Sequence, residues 1–405
     1  MTDKTPRLVV FCSLFPSSAQ PNSGVFIRER MFRVCQQLPI VVVSPVAWFP
    51  MQGLIRLVKP GFRPQPPKFE LQQGVEVYYP RFLSIPGFLK QWDGFMMALG
   101  ALSTLSRLKR KHRFNLIDAH FAYPDGYAAT WLGKWFKVPV TITLRGTEVS
   151  LSKFPARKLR IVSALQRATK IFSVADSLKR HVAALGIDSN KIQVVGNGVD
   201  ADKFHPVDRA EARRDLDLPE GAPVLISVGG LVDRKGYHRV IEILPLLLKE
   251  FPDLMYLIVG GACAEGNNRK QLEQQVADLS LQNHVRFLGP LPSEQLKSPL
   301  SASDLFVLST ANEGWANVFL EAMACGLPVI TTDVGGNSEV VNDASLGTIV
   351  PFGDASALQL ALSDALNKQW DKQAIRHYAE QNAWHHRVDT LVAEFKQIIE
   401  KTEID

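Results

Sequence analysis

Short apolar, β-branched runs alternate with longer stretches of helical periodicity along the whole 405-residue chain, the pattern of βαβ units and a parallel sheet. Two series are visible. In the first, residues 8–12, 39–43, 116–119, 138–143, 170–174 and 192–195 read as strands; in the second, residues 224–228, 254–259, 284–288, 304–308, 329–332 and 347–350 do. Between them, Gly196-Asn197-Gly198-Val199-Asp200 has the turn chemistry of a hinge. The pattern therefore predicts an α/β protein of two domains, 1–200 and 201–405, a division that the length also favours because a single core stops growing at roughly 250–300 residues. A final helical stretch, residues 371–400, follows the second series and is free to pack on either domain.

Charge changes the picture of the first domain. Residues 1–200 hold 28 Lys/Arg against 11 Asp/Glu, whereas residues 201–405 hold 18 against 29. A surplus of +17 in one half predicts an anionic surface as its partner. Residues 86–113 suggest which surface: Phe88, Trp92, Phe95, Leu99 and Leu102 recur at helical spacing and lead into Arg107, Lys109, Arg110, Lys111 and Arg113. That is an amphipathic stripe with a basic end, suited to peripheral docking on anionic membrane; a helix burying the same stripe in a core would show the same period. The most apolar runs are too short to cross a bilayer, and the first residues lack the apolar stretch of a signal peptide. A cytoplasmic protein, able to dock on the membrane's inner face, is the expectation, with no nucleic-acid partner. The four cysteines form no Cys-x-x-Cys pair and predict no metal site.

The densest chemistry lies in residues 303–341. A buried strand ends at Ser309, a loop carries Glu313 and Gly314, and Ala316 to Ala324 has helix-forming composition. Glu313 and Glu321 thus fall at the carboxyl end of a parallel strand and about one turn into the following helix, where α/β sheets bind ligands. The helix start offers backbone N–H groups and a positive dipole end to a diphosphate. Spacing alone is equally compatible with an ordinary strand, loop and helix bearing two solvated carboxylates.

This stretch, with its Glu-Ala-Met-Ala-Cys-Gly-Leu-Pro-Val continuation, resembles the Glu-x7-Glu signature of family-4 glycosyltransferases of the GT-B fold. The resemblance extends through Asp333-Val334-Gly335-Gly336, Glu339 and the hinge Asn197-Gly198-Val199-Asp200. It implies two facing Rossmann-like domains around a cleft, and a retaining transferase that moves a sugar from a nucleoside-diphosphate donor to a lipid-linked or polysaccharide acceptor. It assigns Glu313 to the transferred sugar, Glu321 to the ribose, and Gly314 with the backbone near Asn317, Val318 and Phe319 to the diphosphate. Arg234 and Lys235, in Gly229-Gly230-Leu231-Val232-Asp233-Arg234-Lys235-Gly236, are placed to neutralise the departing diphosphate without a metal or other cofactor. Many relatives carry arginine where this chain has Gly230, and Arg234 is positioned to substitute.

In the first domain, His120 within His-Phe-Ala-Tyr-Pro-Asp-Gly matches a family histidine near the acceptor and the transferred sugar. Gly24, in Asn22-Ser23-Gly24, resembles a loop that approaches the donor phosphate, and Asn22, Arg28 and Arg145 are the candidate acceptor contacts. Arg145-Gly146-Thr147-Glu148 stands where relatives show His-Gly-x-Asp. A sugar-nucleotide epimerase of the same fold, and an inactive donor-binding subunit, are the competing expectations. No dinucleotide, P-loop, zincin or serine-hydrolase motif is present.

Overall fold

The computed structural model describes residues 5–59, 61–263 and 265–402. The chain passes from one compact unit to a second between Asn197 and Gly198, and returns to the first between His386 and Arg387. The last helical stretch is thus divided: helix Lys372–Gln381 lies in the second unit, and most of helix Trp384–Thr402 lies in the first. The break between the helices falls at Ala383, where Val199 donates to Asn382 and accepts from Trp384.

The first unit is built on an eight-stranded sheet. Its order is Ile192–Val194, Lys170–Ser173, Val140–Leu144, Leu116–His120, Leu8–Phe11, Ile40–Val43, Val75–Tyr78 and Phe69–Gln72. All neighbours are parallel except the last pair, a hairpin. The final helix closes one face: Val388, Leu391, Val392, Phe395, Ile398 and Ile399, three to four residues apart, pack with Leu8, Val10, Ile27 and Met31. This is the apolar stripe of an amphipathic helix on a sheet.

Helix Asp93–His112 does not bury the stripe expected to face a core or a membrane as one set. Its core face is Gly94, Met97, Ala98, Ala101, Leu105 and Leu108. Small residues bring the backbone close to its neighbours, so close that a Cβ on Gly94 would sit 2.9 Å from the Tyr127 ring. The larger side chains are left outward: Leu99 on the helix, and Phe88 and Trp92 just ahead of it, are exposed, and Phe95 stands edge-on to Trp131 at 5.7 Å.

The second unit has six strands, all parallel, in the order Val285–Gly289, Met255–Val259, Val224–Val228, Leu305–Leu308, Val329–Thr332 and Gly347–Val350. Both faces are covered, which is why these strands read as continuous apolar runs. Phe306 and Leu308 enter one core while Leu305 and Val307 enter the other. The chain order reverses between Val224–Val228 and Leu305–Leu308, and a ligand crevice forms at the carboxyl ends beside such a reversal. In the first unit the corresponding reversal lies between Leu8–Phe11 and Leu116–His120.

Candidate active site

Two loops leave the reversal in the second unit: residues 229–236 after Val228 and residues 309–316 after Leu308. They are tied together. Ala311 donates its N–H to the Arg234 carbonyl at 2.6 Å, and Arg239 Nη1 donates to the Ser309 carbonyl at 2.7 Å. Gly236, at φ +78°, approaches so closely that a Cβ there would lie 1.8 Å from the Ser309 oxygen. Gly335 does the same from the next loop: at φ +56°, its Cβ would fall 1.7 Å from the Glu313 oxygen. Only glycine fits these positions, and together they hold the Glu313 loop in place.

Glu313 is nearly enclosed. Its Oε1 accepts from Lys235 Nζ at 2.5 Å, Arg234 Nη1 at 3.1 Å and Thr310 Oγ1 at 3.3 Å. The Arg234 fork is also engaged on Glu265, at 2.5 and 2.7 Å. That pairing raises the Arg234 pKa and lowers that of Glu265. At Gly230 a Cβ would meet Cys263 Sγ at 2.9 Å. An arginine there would have to displace that thiol, whereas Arg234 already supplies a guanidinium to the same pair of loops.

Helix Asn317–Ala324 begins after Ala316 with no side-chain cap, and a helix start points backbone N–H groups and the positive end of its dipole outward. Asn317 and Val318 are half-buried, and Glu321 sits one turn further on, also half-buried. Phe319 is different. Its side chain is wholly in the core, 5.8 Å from the Phe306 ring, and its N–H already reaches the Ala316 carbonyl at 3.1 Å. The Phe319 N–H, one of the backbone groups expected to face the diphosphate, is thus engaged within the helix's first turn.

In the first unit, His120 ends the strand beside the reversal and is completely buried. Arg145 Nη2 lies 3.1 Å from its Nδ1. A guanidinium only donates, so Nδ1 accepts and the ring proton sits on Nε2, 3.5 Å from Asp118 Oδ2. Burial, then the charges of Arg145 and Arg30, hold the ring's pKa well below its usual value. Arg145 also donates to Asn197 Oδ1 at 2.7 Å and lies over the Phe26 ring at 5.1 Å. Arg30 is buried on the carbonyls of Val195 and Gly196, at 2.6 and 2.9 Å. Gly24 precedes helix Val25–Cys35 in a left-handed conformation; Arg28 is half-buried on that helix, and Asn22 is exposed.

Three carboxylates with no role of their own assigned from sequence hold this arrangement. Asp118 accepts from Thr141 Oγ1 at 2.7 Å. Glu148 accepts from the backbone N–H groups of Ala122 and Gly146, at 2.9 and 2.8 Å. Asp125 accepts from both the N–H and the hydroxyl of Ser13. Burial pushes Asp118 up to about 6 and Asp125 up to about 7. Asp125 and Glu148 stand inside the motifs around His120 and Arg145, but nothing in the spacing conveys that they are buried. Among the described residues, no cluster of three His, Cys, Asp or Glu is arranged to hold a metal ion, and no helix is long and apolar enough to cross a membrane.

A sequence model of the family described as Glycosyl transferases group 1 matches residues 208–383, and that of Glycosyltransferase Family 4 matches residues 56–203. The chain belongs to the family-4 glycosyltransferases and is a glycosyltransferase of the GT-B fold. It is 28% identical over 406 residues, 96% of its own length and 94% of the relative's, to a Bacillus subtilis protein provisionally named as a teichuronic acid biosynthesis glycosyltransferase. It is 30% identical over 260 residues, 61% of its length and 67% of the relative's, to the GDP-mannose-dependent alpha-(1-6)-phosphatidylinositol monomannoside mannosyltransferase of Mycolicibacterium smegmatis. Among solved structures, sucrose-phosphate synthase from Thermosynechococcus elongatus superposes with a TM-score of 0.77 at 19% identity, covering 98% of this chain and 100% of that one. Anabaena HepE in complex with UDP does so at 0.71 and 19% identity, covering 98% and 99%.

Proposed function

We propose that this enzyme transfers a glycosyl group from a nucleoside-diphosphate sugar, with retention at the anomeric carbon and without a metal, to a lipid-linked or growing polysaccharide acceptor. The observation that carries the reading is the convergence of Lys235, Arg234 and Glu313 at the sheet reversal, beside an uncapped helix start. A diphosphate set there meets two cations and the positive end of the helix dipole, while the Glu313 carboxylate is left to accept from sugar hydroxyls and Glu321 from the ribose. The bond from anomeric carbon to diphosphate oxygen breaks as the acceptor oxygen bonds to that carbon, and the acceptor's proton passes to the released diphosphate. Lys235 and Arg234 stabilise the charge that develops on the leaving group. Solved neighbours of the same fold are in complex with UDP and with UDP-glucose, and the relatives' names concern teichuronic acid biosynthesis and phosphatidylinositol monomannoside, which supports the donor and acceptor classes.

In the first unit, the enclosed ring of His120 makes it a positioning residue in this proposal: it accepts from Arg145 and fixes the guanidinium beside Asn197. Arg28 and Asn22 remain candidate acceptor contacts. The same unit is the proposed membrane-docking element, from the cytoplasmic side. Besides Phe88, Trp92 and Leu99, helix Gln52–Val58 presents Met51, Leu54, Leu57 and Val58, with Leu57 and Val58 about four-fifths exposed, next to Arg56 and Lys59. Lys109 and Lys111 contribute less than their sequence position suggests, since one donates to the Phe114 carbonyl and the other pairs with Glu76.

Product analysis tests the reading. A transferase supplied with donor and acceptor makes a new glycoside and releases nucleoside diphosphate. Isomerised donor would show an epimerase instead, and no turnover with tight donor binding would show a binding subunit.

A further inference from the structure

A large cavity in the second unit lies not at the carboxyl ends of its strands but at the opposite, amino ends. It measures about 900 Å³ and opens beside Pro223 and Asp304, each immediately ahead of a central strand. The loops that carry Lys235 and Glu313 leave the other ends of those same strands, so the sheet separates the two places.

Five cations line it, Arg209, Arg213, Arg214, Lys368 and Lys372, against two carboxylates, Asp304 and Glu220. Two of the cations are structural. Arg213 donates to the carbonyls of Ala302, Pro219 and Ala222. Arg209 donates to the Ser303 carbonyl at 2.6 Å and to Asp304 Oδ1 at 2.7 Å, so it neutralises that carboxylate. Asp304 Oδ2 is spent on the Val224 N–H at 2.9 Å. Glu220, exposed, offsets part of the remaining charge, which resides on Arg214, Lys368 and Lys372. Lys368 Nζ reaches the Ala344 carbonyl and lies 3.8 Å from the centroid of the Trp370 ring. Lys372 is exposed at the cavity's edge, and desolvation by its surroundings together with the Arg209 charge lowers its pKa. An ammonium held so gains from an anion.

The remaining wall is apolar: the indole of Trp370, whose Nε1 is fixed on the Ala365 carbonyl at 2.9 Å, with Leu218 and Leu366. Concave, partly apolar and lined by a few convergent charges, it has the make-up of a small-molecule site. We infer that this cavity binds a phosphorylated small molecule, its phosphates on Arg214, Lys368 and Lys372 and its ring against Trp370, independently of the donor site.

Isothermal titration of the full chain with inorganic pyrophosphate, and then with ADP, tests this. In a Lys235→Ala background, which weakens phosphate binding at the donor loops, a pyrophosphate site should remain. Adding Arg214→Gln and Lys372→Gln should weaken that site about tenfold or more. In the Lys235→Ala background, ADP should bind it more tightly than pyrophosphate and change Trp fluorescence, and adding Trp370→Phe should remove that change. Unaltered thermal unfolding of the Gln variants shows that the fold is intact; should they unfold, Trp370→Phe with ADP carries the test alone. No pyrophosphate binding in Lys235→Ala, or binding indifferent to the Gln pair, would overturn the proposal. Equal pyrophosphate binding in the parent and Lys235→Ala would count against the donor reading only.

Discussion

Glu313→Gln separates what the carboxylate does for the resting protein from what it does for the reaction. Glu313 accepts from Lys235 and Arg234 at 2.5 and 3.1 Å, while only about a tenth of its side chain is exposed. A diphosphate that takes up those cations must compete with it. Hydrogen bonds to charged groups contribute about 1.5–3 kcal/mol net. Arg234 keeps Glu265 in either state, so only part of that is surrendered, on the order of 1 kcal/mol. Glutamine preserves shape but not charge, so bare nucleoside diphosphate should bind about fivefold more tightly to Glu313→Gln. Turnover should move the other way, by about ten- to a hundredfold, because the contact with the sugar loses its charge. Lys235→Ala should weaken diphosphate binding, and Lys235→Ala/Glu313→Gln should fall short of the sum of the single effects, since the residues are in contact. Calorimetry with nucleoside diphosphate reads the first arm and initial rates read the second. If Glu313→Gln weakened the diphosphate as much as Lys235→Ala does, the competition would not exist.

Three further outcomes are expected. Turnover should persist in EDTA, because Arg234, Lys235 and the start of helix Asn317–Ala324 already supply positive charge; loss in EDTA restored by Mg²⁺ or Mn²⁺ would show that the charge was misassigned. Asp125 should make the fold less stable as pH rises: its carboxyl, pushed up to about 7 by burial, holds a proton in the folded state that the unfolded chain has released above about 4. The stabilisation is complete below about pH 4 and is lost on passing pH 7, at most about 4 kcal/mol. An asparagine side chain at this position would accept from the Ser13 N–H and donate to its hydroxyl, so melts of Asp125→Asn between pH 5.5 and 7.5 should be flatter than the parent's, and equal slopes would refute the assignment. Liposome flotation should show binding to anionic vesicles that fades with salt over a Debye length of about 8 Å, and Leu57→Glu/Val58→Glu should abolish it with donor binding unchanged; equal flotation on neutral vesicles would refute electrostatic docking.

The sheets were legible because parallel strands buried on both faces leave uninterrupted apolar runs, and all twelve runs read from sequence are strands. The hairpin Phe69–Gln72 and Val75–Tyr78 was not, being half-exposed and alternating with charge at Glu70 and Glu76. Helix Asp93–His112 shows why periodicity alone misleads: two stripes share one period, and the small residues, not the aromatic ones, take the inside. In the site, Glu313, Arg234 and Lys235 were legible from motif and position. Glu265 was not, because it joins Arg234 from across the fold at a separation of 31 residues. His120 was found by its motif, but its complete burial depends on Arg145 and Asp118, and no spacing conveys that.

The central claim is that a nucleoside-diphosphate sugar occupies the loops at the reversal of the second unit. Hydrogen exchange of the full chain, with and without a saturating donor chosen from a panel of nucleotide sugars, tests it most directly. Protection should concentrate in residues 229–236 and 309–321 and should largely disappear in Glu321→Ala at the same donor concentration. Donor binding that leaves both segments exchanging at their unliganded rates would contradict the account.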